Sequence, residues 1–68
     1  MKITYDSKAD AMYIKLKDAK IFKTKEIDSN TIIDYDKDND VIGIEILFVK
    51  ERLPSLLKNV QVENLILV

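Results

Sequence analysis

The 68-residue chain contains no cysteine, histidine or tryptophan, and it has only one glycine and one proline. Without cysteine it can form neither a disulfide nor a thiolate metal site, and without histidine it lacks the commonest general base and metal ligand. A Ser–His or Cys–His nucleophile pair cannot be built. A chain this short buries roughly 60% of the surface that its unfolded form exposes, so its core is small. We expect one domain spanning residues 1–68, with no enzymatic activity and no cofactor.

Charge and hydropathy exclude two further classes. Eleven basic residues against twelve acidic ones give a net charge of -1, which argues against a protein built mainly to neutralise nucleic-acid phosphates. Residues 1–6 contain no apolar signal segment, and no apolar run exceeds four residues, far below the length of a membrane span. The sequence therefore predicts a soluble, cytoplasmic protein with no membrane association.

Apolar and polar residues alternate along most of the chain, which is the pattern of half-buried strands. The five strands predicted in this way are residues 2–5, 11–17, 21–27, 31–36 and 41–48. Asp6 opens the loop between the first two, and its carboxylate is expected to accept backbone N–H groups there. Gly43 is expected to mark a bulge or a close approach to the backbone. The short connections predict an antiparallel meander with one face covered.

The C-terminal part has a different period. Apolar residues at helical spacing over Val49–Val60 predict a helix that covers the apolar face of the sheet, beginning or kinking at Pro54. Asn59 is a candidate end of this helix. Residues 62–68 have the composition of a last strand, which would pair either with this sheet or with a second copy. The candidate interface for an oligomer or a partner is Leu65, Ile66, Leu67 and Val68. The expected fold class is α+β: an antiparallel β-meander of about five strands, a short C-terminal helix packed on one face and a further last strand.

An acidic segment offers a candidate metal site. Asp34, Asp36, Asp38 and Asp40 stand at alternate positions, with Glu45 twelfth in the series, as in a calcium-binding loop. Asn39 would take the left-handed conformation that such loops usually give to glycine. The flanking segments have the period of strands, whereas a calcium loop of this kind is flanked by helices. An Asp-rich hairpin turn and a weak cation site are therefore both kept as interpretations, and the turn is favoured.

A second candidate site lies on the predicted second strand. Tyr13, Lys15 and Lys17 should share one exposed face, and an aromatic ring beside two cations is a minimal platform for single-stranded nucleic acid. Lysines on the exposed face of a sheet also have an ordinary role, because they keep the sheet soluble and discourage edge pairing. The ordinary role is favoured, and nucleic acid is a disfavoured partner.

Several short motifs recur together in a known family. They are Ile3–Asp6, Ala9–Ala11, Tyr13–Ile14 with Leu16, Asp34–Asp36 and Gly43–Leu47. In this order and spacing they resemble the family called domain of unknown function 2283, over about residues 1–53. The resemblance implies a small cytoplasmic protein of bacteria or archaea, a β-meander with a C-terminal helix and no established activity. Members are similar to proteins encoded beside small toxin-like proteins, which implies an antitoxin or partner-binding role. This chain departs from the pattern at Asp38–Asp40, where the family often has a glycine, and in its apolar end.

These observations favour a small non-enzymatic protein-interaction module, which would be the antitoxin-like partner of a small toxin-like protein. The expected partners are a second copy of the chain and one small protein. The alternative is a weak cation or single-stranded nucleic-acid binding protein.

Overall fold

The computed structural model describes residues 1–52 and 65–67, with residue 52 and residues 65–67 described through their backbone. The elements in this part of the chain are β1 (Lys2–Asp6), β2 (Ala11–Lys15), β3 (Lys23–Asp28), β4 (Thr31–Tyr35), β5 (Val41–Leu47), α1 (Val49–Arg52) and β6 (Leu65–Leu67). The strands form one sheet in the order β3-β4-β5-β2-β1-β6. Neighbouring strands are antiparallel except β1 and β6, which are parallel. The described fold is therefore mostly β.

The five predicted antiparallel strands are confirmed, but the prediction of a simple meander is wrong in its strand order. β2 pairs with β5, so residues 16–22, here called the crossing segment, carry the chain to the far edge of the sheet in a Greek-key connection. The physical reason is apolar pairing. Met12 lies opposite Ile46, and Ile14 lies opposite Ile44, whereas all six residues of β3 are exposed and suit an edge.

The core lies on one face of the sheet, over β1, β2 and the end of β5. Its buried residues are Ile3, Tyr5, Met12 and Val49, with Ile14 and Ile46 packed against them. Val49, the first residue of α1, is fully buried, so the described helical turn contributes to this cluster. The continuation of the predicted helix through Pro54 and Asn59 falls on residues 53–64, outside the described part of the chain.

Asp6 closes the β1–β2 hairpin as predicted. Its Oδ1 atom accepts hydrogen bonds from the backbone N–H groups of Lys8 (3.0 Å) and Ala9 (3.2 Å). A short polar side chain that accepts backbone N–H groups two and three residues later folds the loop into a compact turn.

Asp10 joins this hairpin to the start of α1. It has a left-handed backbone with φ of 52°, and its carboxylate accepts the backbone N–H of Lys50 at 3.1 Å. The same carboxylate accepts the hydroxyl of Tyr5 at 2.7 Å. This hydrogen bond, together with burial and the carboxylate charge, raises the pKa of Tyr5 to about 12.

The predicted last strand is present as β6, which pairs with β1 of its own sheet: Ile3 lies opposite Leu65 and Tyr5 opposite Leu67. Its outer side forms the second edge of the described sheet. The interface predicted for Leu65–Leu67 and Val68 stays a prediction, and Val68 lies outside the described residues. Within the described residues, no helix has the length and apolar composition that a membrane span requires.

Candidate functional site

A hydrogen-bonded polar row crosses the sheet on the face opposite the core. The register places Thr24, Asp34 and Gly43 side by side on three neighbouring strands. The Tyr13 hydroxyl donates to Oδ2 of Asp34 at 2.9 Å, and the Thr24 hydroxyl donates to Oδ1 at 2.6 Å. Burial of the ring and the hydrogen bond to the Asp34 carboxylate raise the pKa of Tyr13 to about 12. Both oxygens of Asp34 are thus engaged within the sheet.

Gly43 makes this row possible, because the Tyr13 side chain passes over it to reach Asp34. A Cβ atom at position 43 would overlap the hydroxyl oxygen and Cζ of Tyr13 and would lie 3.1 Å from its Cε1 atom. Gly43 has no positive φ, so space rather than backbone conformation requires a glycine. The close approach predicted from the sequence is confirmed.

The acidic turn, residues 36–40, is organised by the Asp36 side chain. Asp36 is only 4% exposed, and its Oδ1 atom accepts the backbone N–H groups of Asp38 (2.9 Å) and Asp40 (3.0 Å). Asn39 has the predicted left-handed backbone, with φ of 67°. These contacts support the interpretation of the segment as a hairpin turn.

Lys17 ties the crossing segment to this turn. Its Nζ atom lies 2.8 Å from Oδ2 of Asp36 and 3.4 Å from Oδ2 of Asp40. The hydrogen bond from Lys17 is the main cause that lowers the pKa of Asp36, and the same bond raises the pKa of Lys17. The pair joins residues far apart in sequence and connects the crossing segment to the acidic turn.

Three of the four aspartates of the predicted metal site are engaged by other side chains. Asp34 binds Tyr13, and Asp36 and Asp40 share Lys17. No group of three or more carboxylates among the described residues is arranged to hold a metal ion. Cation binding at Asp34, Asp36, Asp38 and Asp40 stays a prediction, and the described contacts do not support it.

The three residues of the predicted nucleic-acid platform do come together. Tyr13, Lys15 and Lys17 line one depression of about 380 Å³. Each lysine is next to a carboxylate, since Lys15 lies 3.1 Å from Asp18 and Lys17 lies against the acidic turn. Such pairing offsets the positive potential that would attract a phosphate backbone. Nucleic-acid binding stays a prediction.

Sequence reasoning predicted the strand β3 but not its position at an exposed edge of the sheet. It is the first strand in the sheet order, so no described strand lies on its outer side. Exposed apolar residues flank it, with Ile21 and Phe22 before it and Ile27 near its end. Phe22 is 71% exposed, although its N–H donates to the Tyr35 carbonyl at 2.8 Å and so continues the pairing with β4. The available signal was the imperfect alternation of residues 21–27, which leaves no apolar face to bury.

A cavity of about 580 Å³ opens at the beginning of this edge, between the crossing segment and the acidic turn. Ala19, Ile21 and Phe22 form its apolar wall, and Lys20 and Lys37 stand at its border. This volume is within the range of about 300–1,000 Å³ that is typical of ligand pockets. The site can therefore receive a side chain of a bound segment.

Comparison with known proteins adds a family but no activity. No curated protein and no solved structure matches this chain. Residues 2–50, from the start of β1 to the start of α1, match a family model. That match confirms the resemblance drawn from the sequence motifs, and the chain belongs to the family described as Protein of unknown function (DUF2283).

Proposed function

We propose that this protein is a small, non-enzymatic, cytoplasmic interaction module that binds an extended segment of another protein along the outer side of β3. The observation that carries the proposal is that all six residues of β3 are exposed at an edge of the sheet. An edge strand presents a row of unpaired N–H and C=O groups, to which an extended peptide adds as a further strand. The resemblance to the family supports an antitoxin-like role with a small toxin-like protein as the partner.

The two edges of the described sheet have different properties. β3 has six residues and exposed apolar neighbours at both ends, whereas β6 has three residues. The longer edge can form more main-chain hydrogen bonds with an added strand. Self-association is therefore proposed at β6, through the interface predicted at Leu65–Leu67, which leaves β3 for the second protein.

The orientation of the β3 backbone gives a specific test. The N–H of Leu47 donates to the Asn30 carbonyl, so the even-numbered residues of β4 face β5 and the odd-numbered ones face β3. Lys25 is paired with Ile33, so its N–H points to β4, and the N–H of the next residue, Glu26, points away from the sheet. Glu26→Pro removes this outward donor without removing a bond to β4, and proline is tolerated at such edge positions. Glu26→Ala is the matched control, because it removes the same charge but keeps the N–H group.

The measurement is affinity capture from the protein's own cell lysate, before and after nuclease treatment, with the wild type and both variants. The proposal predicts one stoichiometric small protein that Glu26→Ala retains better than Glu26→Pro. Equal retention by the two variants would contradict edge binding, and so would recovery of nucleic acid alone before nuclease treatment. Circular dichroism and urea unfolding of both variants check that the fold is unchanged.

A further inference from the structure

We infer that the segment bound by β3 is acidic, with Asp or Glu at two alternate positions opposite Lys23 and Lys25, followed by an apolar residue that enters the cavity beside Phe22. This inference rests on the proposed function and specifies the chemistry of the partner. It follows from the charges of β3, from the symmetry of edge pairing and from the position of the cavity.

The two lysines of β3 project from the same face of the sheet. Lys23 lies opposite Tyr35 and Lys25 lies opposite Ile33, two residues apart on β4. The Nζ atom of Lys23 is 5.1 Å from the centre of the Tyr35 ring, which holds this cation at the edge. Neither lysine is in an ion pair with a described residue. Both charges are therefore available to an added strand.

A second copy of the chain does not fit this edge. Residues directly opposite on antiparallel strands share a face, so a two-fold pair of β3 strands sets each lysine of this face opposite a residue of the same face. Registers centred on residues 23, 24 or 25 place lysine opposite lysine, and the register centred on Glu26 places glutamate opposite glutamate. Like charges directly opposite are destabilising. The edge is complementary to a different chain.

Acidic residues at alternate positions match the spacing of Lys23 and Lys25. The other face of β3 presents Thr24 and Glu26, and the Thr24 hydroxyl is already bound to Asp34. A partner strand with acids on both faces would meet Glu26, which is unfavourable. The complementary segment thus carries its acids on one face only, which fixes its register as well as its charge.

The cavity beside Phe22 provides one further contact for a partner strand in this register. An antiparallel partner that has passed Lys25 and then Lys23 next reaches Ile21 and Phe22, which line the cavity. The cavity volume of about 580 Å³ has room for a leucine or aromatic side chain, and its apolar wall suits one. The recognised pattern is therefore acid, any residue, acid, and then an apolar residue.

Peptide binding tests this inference directly. The probe is a short, fluorescently labelled, end-capped peptide with Glu at two alternate positions followed by leucine, and the control peptide has Lys in place of both Glu. We expect wild-type protein to bind the Glu peptide roughly tenfold more tightly, from two reversed cross-strand pairs. The preference should fall at high salt, because exposed charges are screened.

The charge-reversed protein, Lys23→Glu with Lys25→Glu, supplies the decisive comparison, because both positions are exposed, and circular dichroism checks that it keeps the fold. It should prefer the Lys peptide. An unchanged preference, or equal binding of both peptides to the wild type, would overturn the acidic partner. If Glu26→Pro still weakens capture of the natural partner relative to Glu26→Ala in that case, the edge-binding function stands and only its acidic specificity falls. A wild-type dimer that Glu26→Pro but not Glu26→Ala dissociates in sedimentation would also overturn the inference, since a second copy would then occupy the edge.

Discussion

Replacement of Gly43 by alanine tests the packing of the polar row. The added Cβ would occupy the position of the Tyr13 hydroxyl and Cζ. The overlap involves the far end of the Tyr13 side chain, so it is relieved when this side chain adopts another rotamer. It would then lose its 2.9 Å hydrogen bond to the Asp34 carboxylate. The backbone of β5 need not move, so the cost is that of one charge-assisted hydrogen bond.

The expected magnitude follows from two opposing contributions. Loss of a hydrogen bond to a charged group costs about 1.5–3 kcal/mol. Replacing glycine within a strand by alanine returns about 0.5–1 kcal/mol, because the unfolded chain loses conformational freedom. Gly43→Ala should therefore lower the free energy of unfolding by about 1–2 kcal/mol. In a Tyr13→Ala background, where no ring crosses position 43, the same substitution should be stabilising by about 0.5–1 kcal/mol.

This change of sign is a coupling between neighbouring residues. It is measured by urea unfolding of the wild type, Gly43→Ala, Tyr13→Ala and the double variant. A second readout is the tyrosinate absorbance during alkaline titration. The pKa of Tyr13, raised to about 12 in the wild type, should fall towards the ordinary value of 10.0 in Gly43→Ala. If Gly43→Ala destabilises equally in both backgrounds, space for Tyr13 is not the reason for the glycine.

Three further substitutions test the contacts that organise the loops. Asp36→Asn should lower the free energy of unfolding at neutral pH and reduce its decrease in acid. The pKa of Asp36 is lowered by folding, so the carboxylate contributes its full stability above the ordinary value of 3.8 and loses it as the pH falls through the lowered pKa. Urea midpoints measured at about pH 7 and about pH 3 would not differ in this way if the Lys17 pair were unimportant. Asn39→Gly should leave the free energy of unfolding nearly unchanged, whereas Asn39→Ala should lower it by about 1 kcal/mol, because φ is positive there; equal thermal stabilities would contradict the left-handed turn. Asp10→Ala should lower the free energy of unfolding by roughly 3 kcal/mol, because it removes the acceptor at the start of α1 and the hydrogen bond from Tyr5 and places alanine at a positive φ. It should also move the pKa of Tyr5 down from about 12, and an unchanged alkaline titration would argue against the Tyr5–Asp10 hydrogen bond.

Most local features of this protein follow from short-range chemistry. The alternation of apolar residues placed the five antiparallel strands within a few residues of their ends, and Asp6 was identified as the hairpin cap because aspartate can accept N–H groups two and three residues later. Asn39 was expected to be left-handed because few other residues tolerate that backbone. The absence of histidine and cysteine removed whole classes of chemistry before any fold was known. The conclusions on the strands, the cap and the turn depend on neighbours in the sequence, and the last depends on composition alone.

The candidate site was less accessible to the same reasoning. Gly43 was recognised as a point of close approach, but Tyr13 as the approaching group was not, because the two residues belong to strands that the sequence does not show to be neighbours. Lys17 of the predicted nucleic-acid platform forms an ion pair with Asp36 of the predicted metal site. Two separate hypotheses thus described the two halves of one ion pair.

By itself the sequence determined the strands, the turns, the family and the chemistry that is excluded. Only the tertiary structure decided the order of the strands, which strand is left at the edge and which charges neutralise one another. Alternation with a period of two residues shows which side chains share a face of a strand, but it contains no information about which strand is the neighbour. That choice depends on how apolar faces pair across the whole sheet, and here it placed β5 beside β2 and left β3 exposed.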